Sequence, residues 1–366
     1  MIKYFKVTKL FGKQDVELTF NKDLNILTGK NGSGKTTIIK LIWYLLSGNI
    51  ERALPEISFE SAILETDKFR LEIYRGEKEG EGAESIKCSI QESNAATPSV
   101  FSIPSNDESD MIYTVDERIV SAGRTSIFFP TFRRIEGGFA LKKRRIGSRV
   151  FRAGSELDGA ITDYSKMMSS TNHKFVASIS TNDIEVLLTR RYADLSETTN
   201  RLHEALSTQI ERMISSQETQ EGGVKSEKET LEKIRKFVQS IAAKREEIMR
   251  PFNVFSSLIS DIFKDKGIQI DVFKFHETKG LISSGLLSAG EKQMLSFLCY
   301  NAFSSDCSIF IDEPEISLHV DWQRLLFPTL LRQATANQFI ISTHSPFIYS
   351  KYVDRELILN PDKGDN

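Results

Sequence analysis

Cysteine is scarce in this chain and follows no pattern. There are three, Cys88, Cys299 and Cys307. An odd number at irregular intervals excludes a disulfide framework and a zinc-ligand spacing, so a reducing cytoplasm is the simplest setting. Long hydrophobic runs are absent as well: no stretch of about 18 apolar residues occurs, and a membrane span is not expected. The opening "MIKYFKVTKLFGKQDVEL" has no apolar leader core, which argues against a secretory signal. Charge of one sign is not in excess either. Forty-eight Lys and Arg against 50 Asp and Glu leave a net −2, which excludes a uniformly basic nucleic-acid binder but leaves local patches open. What remains is ordinary globular material: 40% hydrophobic and 27% charged residues over 366 positions. That is enough for one large domain or two modest ones.

The first segments, "KYFKV", "DVELTF" and "LNILTG", alternate or run apolar and read as strands. The third leads directly into Gly29-Lys30-Asn31-Gly32-Ser33-Gly34-Lys35-Thr36, followed by the helical "TTIIKLIWYLL". This is G-x-x-x-x-G-K-[ST] in a strand–loop–helix setting. Glycines let backbone N–H groups turn inward around phosphate, and the helix N-terminus adds its dipole. Asn31 to Thr37 would form the cradle, with Lys35 reaching the β- and γ-phosphates of ATP and Thr36 ligating Mg2+. A plain glycine turn before a helix is the competing reading; the spacing and the context both favour the phosphate loop.

Two later strands carry the remaining chemistry. "SIFIDEPE" is an apolar run ending in Asp312 and Glu313, the arrangement that places a magnesium-water ligand and a general base at a strand tip. Adjacent carboxylates could instead cap the next helix. "QFIISTHSPF" is a second buried strand, ending near His344. A lone histidine is more often a surface or core residue, but one after a strand beside the nucleotide strand is a candidate γ-phosphate contact.

In order along the chain stand the phosphate loop at Gly29–Thr36, "LSAGEKQ" at Leu287–Gln293, "IFIDEPE" at Ile309–Glu315, "EISLH" at Glu315–His319 and "STHS" at Ser342–Ser345. Together they resemble an ABC-type ATPase. The resemblance implies an α/β fold: a P-loop ATPase head with an antiparallel side sheet and an inserted, coiled-coil-like helical hairpin. It implies Glu313 as general base, Asp312 as magnesium-water ligand and His344 as switch. It also implies that Ser288, Gly290 and Glu291 complete the nucleotide site of a second copy, in a head-to-tail homodimer around two ATP molecules. The glutamine loop of such ATPases is not recognisable; "SIFFPTFRRIEGGF" occupies that region, and no glutamine is assigned.

"IDEPEISLHVDWQR" and "ISTHSPFIYS" are closest to the RecF-, SMC- and OLD-like branch, which acts on nucleic acid. "FFPTFRRIEGGF" is similar to the ATPase subunits of bacterial Septu and retron-associated ATPase–HNH anti-phage systems. The OLD nucleases carry a large Toprim region after the ATPase core, whereas 22 residues (366 − 344) follow His344 here. The resemblance therefore implies a separate effector nuclease of HNH or Toprim type. A RecF- or SMC-like repair ATPase is the alternative, and a transporter ATPase ranks last.

Between these motifs, "ISFESAILETDKFRLEIYRG" and "SIKCSIQES" read as side-sheet strands, and "NAATPSVFSIPSNDESD" as a polar, proline-containing loop. From Thr181 the pattern turns helical, through Leu188, Tyr192, Leu195, Leu202, Leu206, Ile210 and Met213. A returning series follows Gly222-Gly223 through Leu231, Ile234, Val238, Ile241 and Ile248. Two antiparallel helices of about 35 residues would span on the order of 50 Å. A projecting hairpin and a subdomain packed on the head both fit this pattern. The expected organisation is residues 1–180, an N-terminal ATPase lobe; 181–265, a helical insertion; and 266–366, a C-terminal ATPase lobe.

A basic stretch contains Arg133, Arg134, Lys142, Lys143, Arg144, Arg145, Arg149 and Arg152 against the single acid Glu136. It is a candidate contact for DNA or RNA phosphates or an acidic protein; a solvated loop is the default alternative. Neutralising Lys142, Lys143, Arg144 and Arg145 together should weaken nucleic-acid binding and flatten its salt dependence, measured by fluorescence anisotropy across a salt series. An unchanged salt slope would assign the stretch to solvated surface.

Overall fold

The computed structural model describes residues 1–76, 85–104, 108–122, 124–131, 134–135, 155–179, 181–218, 224–264 and 287–359. The basic residues Arg133 and Lys142–Arg152 lie outside that set, as does the Gly222-Gly223 turn, and Arg134 enters only through its backbone. Contacts group the chain into two units. The first comprises Met1–Ser180, Leu287–Phe297 and Ser304–Asn366, and the second Thr181–Leu286 and Leu298–Phe303.

The first unit is built on two six-stranded sheets. Strands β1 (Ile2–Leu10), β2 (Gln14–Thr19), β4 (Ser61–Thr66), β5 (Phe69–Arg75), β6 (Ser85–Glu92) and β7 (Ser99–Pro104) form an antiparallel sheet in the order β2-β1-β4-β5-β6-β7. Its sequence alternates as a one-sided sheet should: Phe69, Leu71 and Ile73 of β5 are buried, whereas Arg70 and Tyr74 face solvent. The other sheet is parallel, with β3 (Leu24–Thr28), β8 (Thr125–Phe129), β10 (His173–Phe175), β12 (Cys307–Asp312), β13 (Gln338–Ser342) and β14 (Glu356–Ile358) in the order β10-β8-β12-β13-β3-β14. Strands β3, β12 and β13 are buried end to end, as covered parallel strands require. A short parallel pair joins β9 (Arg134–Ile135) to β11 (Ser178–Ile179).

Helix α1 (Lys35–Ser47) contacts strands of both sheets. Its buried residues run almost without interruption from Ile38 to Leu46, and one hydrophobic core continues from β1 and β4 through this helix to Phe128, Phe310 and Ile340. Polar pins accompany the packing. The Gln338 side chain accepts from the Ile2 N–H and donates to the carbonyls of Ile2 and Asn21, each at 2.8 Å. It thereby ties the start of β13 to the start of β1. Trp43 Nε1 donates to Ser126 Oγ at 3.0 Å, and a 2.8 Å hydrogen bond joins that hydroxyl to His173 Nδ1. Burial pushes the His173 imidazole down to about 4, so it is neutral near pH 7.

The expected α/β fold, a head with an antiparallel side sheet and an inserted long helical hairpin, is the observed one, and its core sheet is parallel. Some local readings differ. The polar loop expected at 94–110 contains β7, because exposed Val100 and Ser102 alternate with the more buried Phe101 and Ile103 and the segment pairs with β6. Helices α3 (Glu108–Ser121) and α4 (Ser155–Met168) were not anticipated; nor was the short α2 (Ile50–Glu56). Their apolar spacing is sparse, with Ile112, Val115 and Ile119 making the buried stripe of α3.

The second unit holds α5 (Thr181–Glu218) and α6 (Val224–Ile262), of 38 and 39 residues, packed against each other. At 1.5 Å per residue each spans roughly 57 Å. Around Phe252 the packing is aromatic, with Tyr192 at 5.5 Å and Phe303 at 6.0 Å between ring centres. Farther along, the seam thins. Leu231 and Val238, expected inward, are exposed, and Phe237 takes the half-buried position between Ile234 and Ile241. Spacings of three and four both fit a helix face, and the sequence does not choose between adjacent apolar residues. Among the described residues no helix is long and apolar enough to cross a membrane.

Ser126→Ala would take a hydrogen-bond partner from both Trp43 and His173 while changing little volume. It should lower unfolding free energy by about 1–3 kcal/mol, the cost of leaving a buried donor unmet. Urea denaturation followed by Trp fluorescence measures it; an unchanged midpoint would show that the hydroxyl is dispensable.

Candidate nucleotide site

The loop between β3 and α1 is shaped by glycines. Gly29 has φ 148°, and a Cβ there would meet the Leu359 carbonyl oxygen at 2.8 Å and Ser33 Oγ at 2.9 Å. Gly34, at φ 86°, is the residue before α1, and no side chain caps the helix. A 13-residue helix thus presents its N-terminal amides toward the loop, the natural setting for an anion. Lys35 curls back, its Nζ donating to the carbonyls of Gly29 at 3.0 Å and Lys30 at 3.2 Å. Burial lowers its proton affinity, while Glu313, Asp312 and Glu315 oppose that shift. Ser33 Oγ is buried with no hydrogen-bond partner among the described residues. Asn31 and Gly32 are exposed on the loop and Thr37 is half-buried.

Asp312 ends β12 with no solvent exposure. Its Oδ1 accepts from Thr36 Oγ1 at 3.1 Å and from Ser342 Oγ, and its Oδ2 accepts from Thr131 Oγ1. Glu313 follows in a left-handed conformation, φ 46°, with its carboxylate 3.9 Å from His344 Nε2. Its proton affinity is raised above the ordinary 4.5, first by burial and then by the charges of Asp312 and Glu315. Glu315 pins the histidine segment, accepting from the His344 N–H at 2.6 Å and from Thr343 Oγ1 at 2.9 Å. Lys35, Thr36, Asp312, Glu313 and His344 are therefore brought to one end of the parallel sheet.

Ser288 and Glu291 are placed differently. They form a reciprocal capping box at the start of α7 (Ala289–Ala302): the Ser288 N–H donates to Glu291 Oε2 at 2.7 Å, and the Glu291 N–H donates to Ser288 Oγ at 3.3 Å. A Cβ on Gly290 would collide with the Ser317 carbonyl oxygen, so only glycine lets this helix approach so closely. Within the same turn, Gln293 Nε2 donates to the Pro314 carbonyl at 2.9 Å. The start of α7 is thus clamped to the segment after β12. His319 serves as the N-cap of α8 (Val320–Arg332), accepting from the Asp321 N–H at 3.4 Å. Beyond β13, Pro346–Tyr349 forms the short α9.

Sequence reasoning did not assign Thr131, Glu315, Gln293 or Ser342. One signal was available for Thr131: "SIFF" at 126–129 and "SIFI" at 308–311 are near copies, and they lie side by side in register, Ser126 against Ser308 and Phe128 against Phe310.

These residues fit a nucleotide triphosphate and a divalent cation. The helix N-terminus is uncapped, the lysine is turned onto its own loop, Ser33 has an unmet hydroxyl, and a hydroxyl and carboxylate pair supplies hard oxygen donors.

The AAA ATPase domain family matches residues 1–349. The chain belongs to that family. Comparison of this AAA ATPase with curated proteins returned no match. Among solved structures, 106 chains match. They include the Smc head domain with an extended coiled coil bound to the C-terminal domain of ScpA, from Pyrococcus furiosus: 14% identity, 95% of this chain and 91% of that one covered, TM-score 0.37. A Smc head bound to the C-terminal winged-helix domain of ScpA shows 15% identity, 95% and 91% coverage, and a TM-score of 0.40. The recombination mediator RecF with a bound ATP analogue shows 12% identity, 95% and 94% coverage, and a TM-score of 0.34. The fold of this AAA ATPase is defined by its own strand order.

Glu315→Gln removes one of the two negative charges that raise Glu313. The acid limb of the pH–rate profile for ATP hydrolysis should then move to lower pH. A limb that stays in place would show that Glu315 does not influence the base.

Proposed function

We propose that this chain is an ABC-type ATPase of the RecF/SMC/OLD-like branch that binds ATP with Mg2+ and hydrolyses it. The observation that carries this reading is the convergence of Thr36, Asp312, Glu313 and His344 at the end of one parallel sheet. In this reading the loop amides and Lys35 hold the β- and γ-phosphates, Thr36 and Asp312 hold the cation and its water, and the cation offsets phosphate charge. Glu313 accepts the proton of the attacking water as its oxygen bonds to the γ-phosphorus and the bond to the bridging oxygen breaks. A raised proton affinity suits that task. His344, beside Glu313, contacts the γ-phosphate.

The three-part organisation at 1–180, 181–265 and 266–366 belongs to the same proposal. So does a head-to-tail homodimer in which Ser288 and Gly290 face the partner's nucleotide. Their rigid mounting supports it, because the helix they open is clamped to the segment that follows the base. We further propose that ATP state governs a separate HNH- or Toprim-type nuclease in an anti-phage complex, a reading supported by the "FFPTFRRIEGGF" resemblance. A RecF- or SMC-like DNA-repair role is the alternative.

Glu313→Gln should keep ATP binding and lose about a hundredfold or more in hydrolysis, whereas Lys35→Ala should lose binding itself; full turnover by Glu313→Gln would sink the assignment. Ser288→Asp retains a capping oxygen but sets a negative charge where a partner's γ-phosphate would lie. It should block ATP-driven dimerisation in light scattering, and mixing it with Lys35→Ala should restore one shared site. Nucleic-acid cleavage by the purified chain alone, lost on a substitution outside the ATP site, would exclude the separate-nuclease reading.

A further inference from the structure

Asp312 is fully buried, and three hydroxyls donate to its carboxylate. Thr36 and Ser342 both engage Oδ1, and Thr131 engages Oδ2. The three are not equivalent. Ser342 is fully buried at the end of β13 and in register with Asp312, so it belongs to the sheet framework. Thr36 is the phosphate-loop hydroxyl. Thr131 comes from the segment just past β8, after Pro130, and is only half-buried. Strand β8 lies parallel to β12 with Phe129 opposite Ile311. Just past the end of that pairing, the Thr131 hydroxyl reaches the Asp312 carboxylate.

A threonine hydroxyl has one proton and two lone pairs. With its proton committed to Asp312 Oδ2, Thr131 keeps its lone pairs for a hard cation or the water around one. We propose that Thr131 is a positioning residue of the cation pocket: it fixes Asp312 Oδ2 and offers a hydroxyl oxygen to the hydrated Mg2+. The inference rests on the ATP and Mg2+ reading and extends it to a residue given no role in the sequence analysis. Groups that orient a cation's carboxylate commonly change metal affinity by about ten- to a hundredfold when removed.

The test uses the full chain and a fluorescent N-methylanthraniloyl-ATP probe, titrated in EDTA and at a series of Mg2+ concentrations. In the unaltered protein Mg2+ should tighten binding. Thr131→Val removes the hydroxyl at constant size. It should reduce the ratio of metal-free to Mg2+-saturated dissociation constants about tenfold or more, and raise the Mg2+ needed for half-effect by a similar factor. Thr131→Ser should restore both. If the valine variant melts early, Thr131→Ala removes the same hydroxyl and is read the same way. A purely structural threonine would leave the ratio alone, so an unmoved ratio and Mg2+ midpoint overturn the inference while the ATP reading stands. Absence of probe binding by the unaltered protein under every condition overturns both. Failure of Thr131→Ser to recover the ratio also overturns the hydroxyl's role.

Discussion

A carboxylate with no exposure to water has to be satisfied by its surroundings, and at Asp312 that requirement organises the site. Leaving such a charge unmet would cost several kcal/mol. Here hydroxyls meet it from three segments distant in sequence: Thr36 at the start of α1, Thr131 past β8 and Ser342 at the end of β13. Each of these elements is fixed in turn by the parallel sheet. The charge can stay buried only while β8, β12, β13 and α1 keep their present register, so sheet and site support each other.

The second constraint is helix α1. Nearly every residue between Ile38 and Leu46 is buried, including Trp43 and Tyr44. A helix enclosed on its sides exposes its polarity only at its ends. Its C-terminal end closes on Gly48, whose N–H bonds the Tyr44 carbonyl. Its N-terminal end has no side-chain cap, and the glycine loop bends over it. Local anion affinity therefore follows from packing as much as from the loop residues. Gln338 strengthens the same frame by bonding to the backbone of β1, which brings the side sheet into line with the strands that carry the carboxylates.

The loop after β12 connects the two halves of the candidate machinery. Glu315 reaches forward to the His344 backbone, while Pro314 and Ser317 receive α7 through Gln293 and the bare face of Gly290. A shift of that loop would be felt at Glu313, at His344 and at the capping box of Ser288 and Glu291. Because the contacts are short polar bonds and one close backbone approach, movement would proceed as a change between discrete arrangements.

Much of this was legible in the residues alone. The strand–loop–helix of Gly29–Thr36, the apolar run into Asp312-Glu313, the alternation of β5 and the long helical periodicity are local patterns. Local sterics and hydrophobic period decide them within a dozen residues. The thin-periodicity helix α3 and strand β7 were missed because their buried faces are set by neighbours. The choice of Phe237 over Val238 as the inward residue likewise depends on the facing helix. The lateral order of the parallel strands, β8-β12-β13-β3, carries no local mark, since each partner lies far away in the chain. Only that tertiary order sets "SIFF" beside "SIFI", and with it the hydroxyl of Thr131 on Asp312. Sequence by itself determined which groups could hold a nucleotide; strand register, enforced by burial of one carboxylate, decided which of them meet.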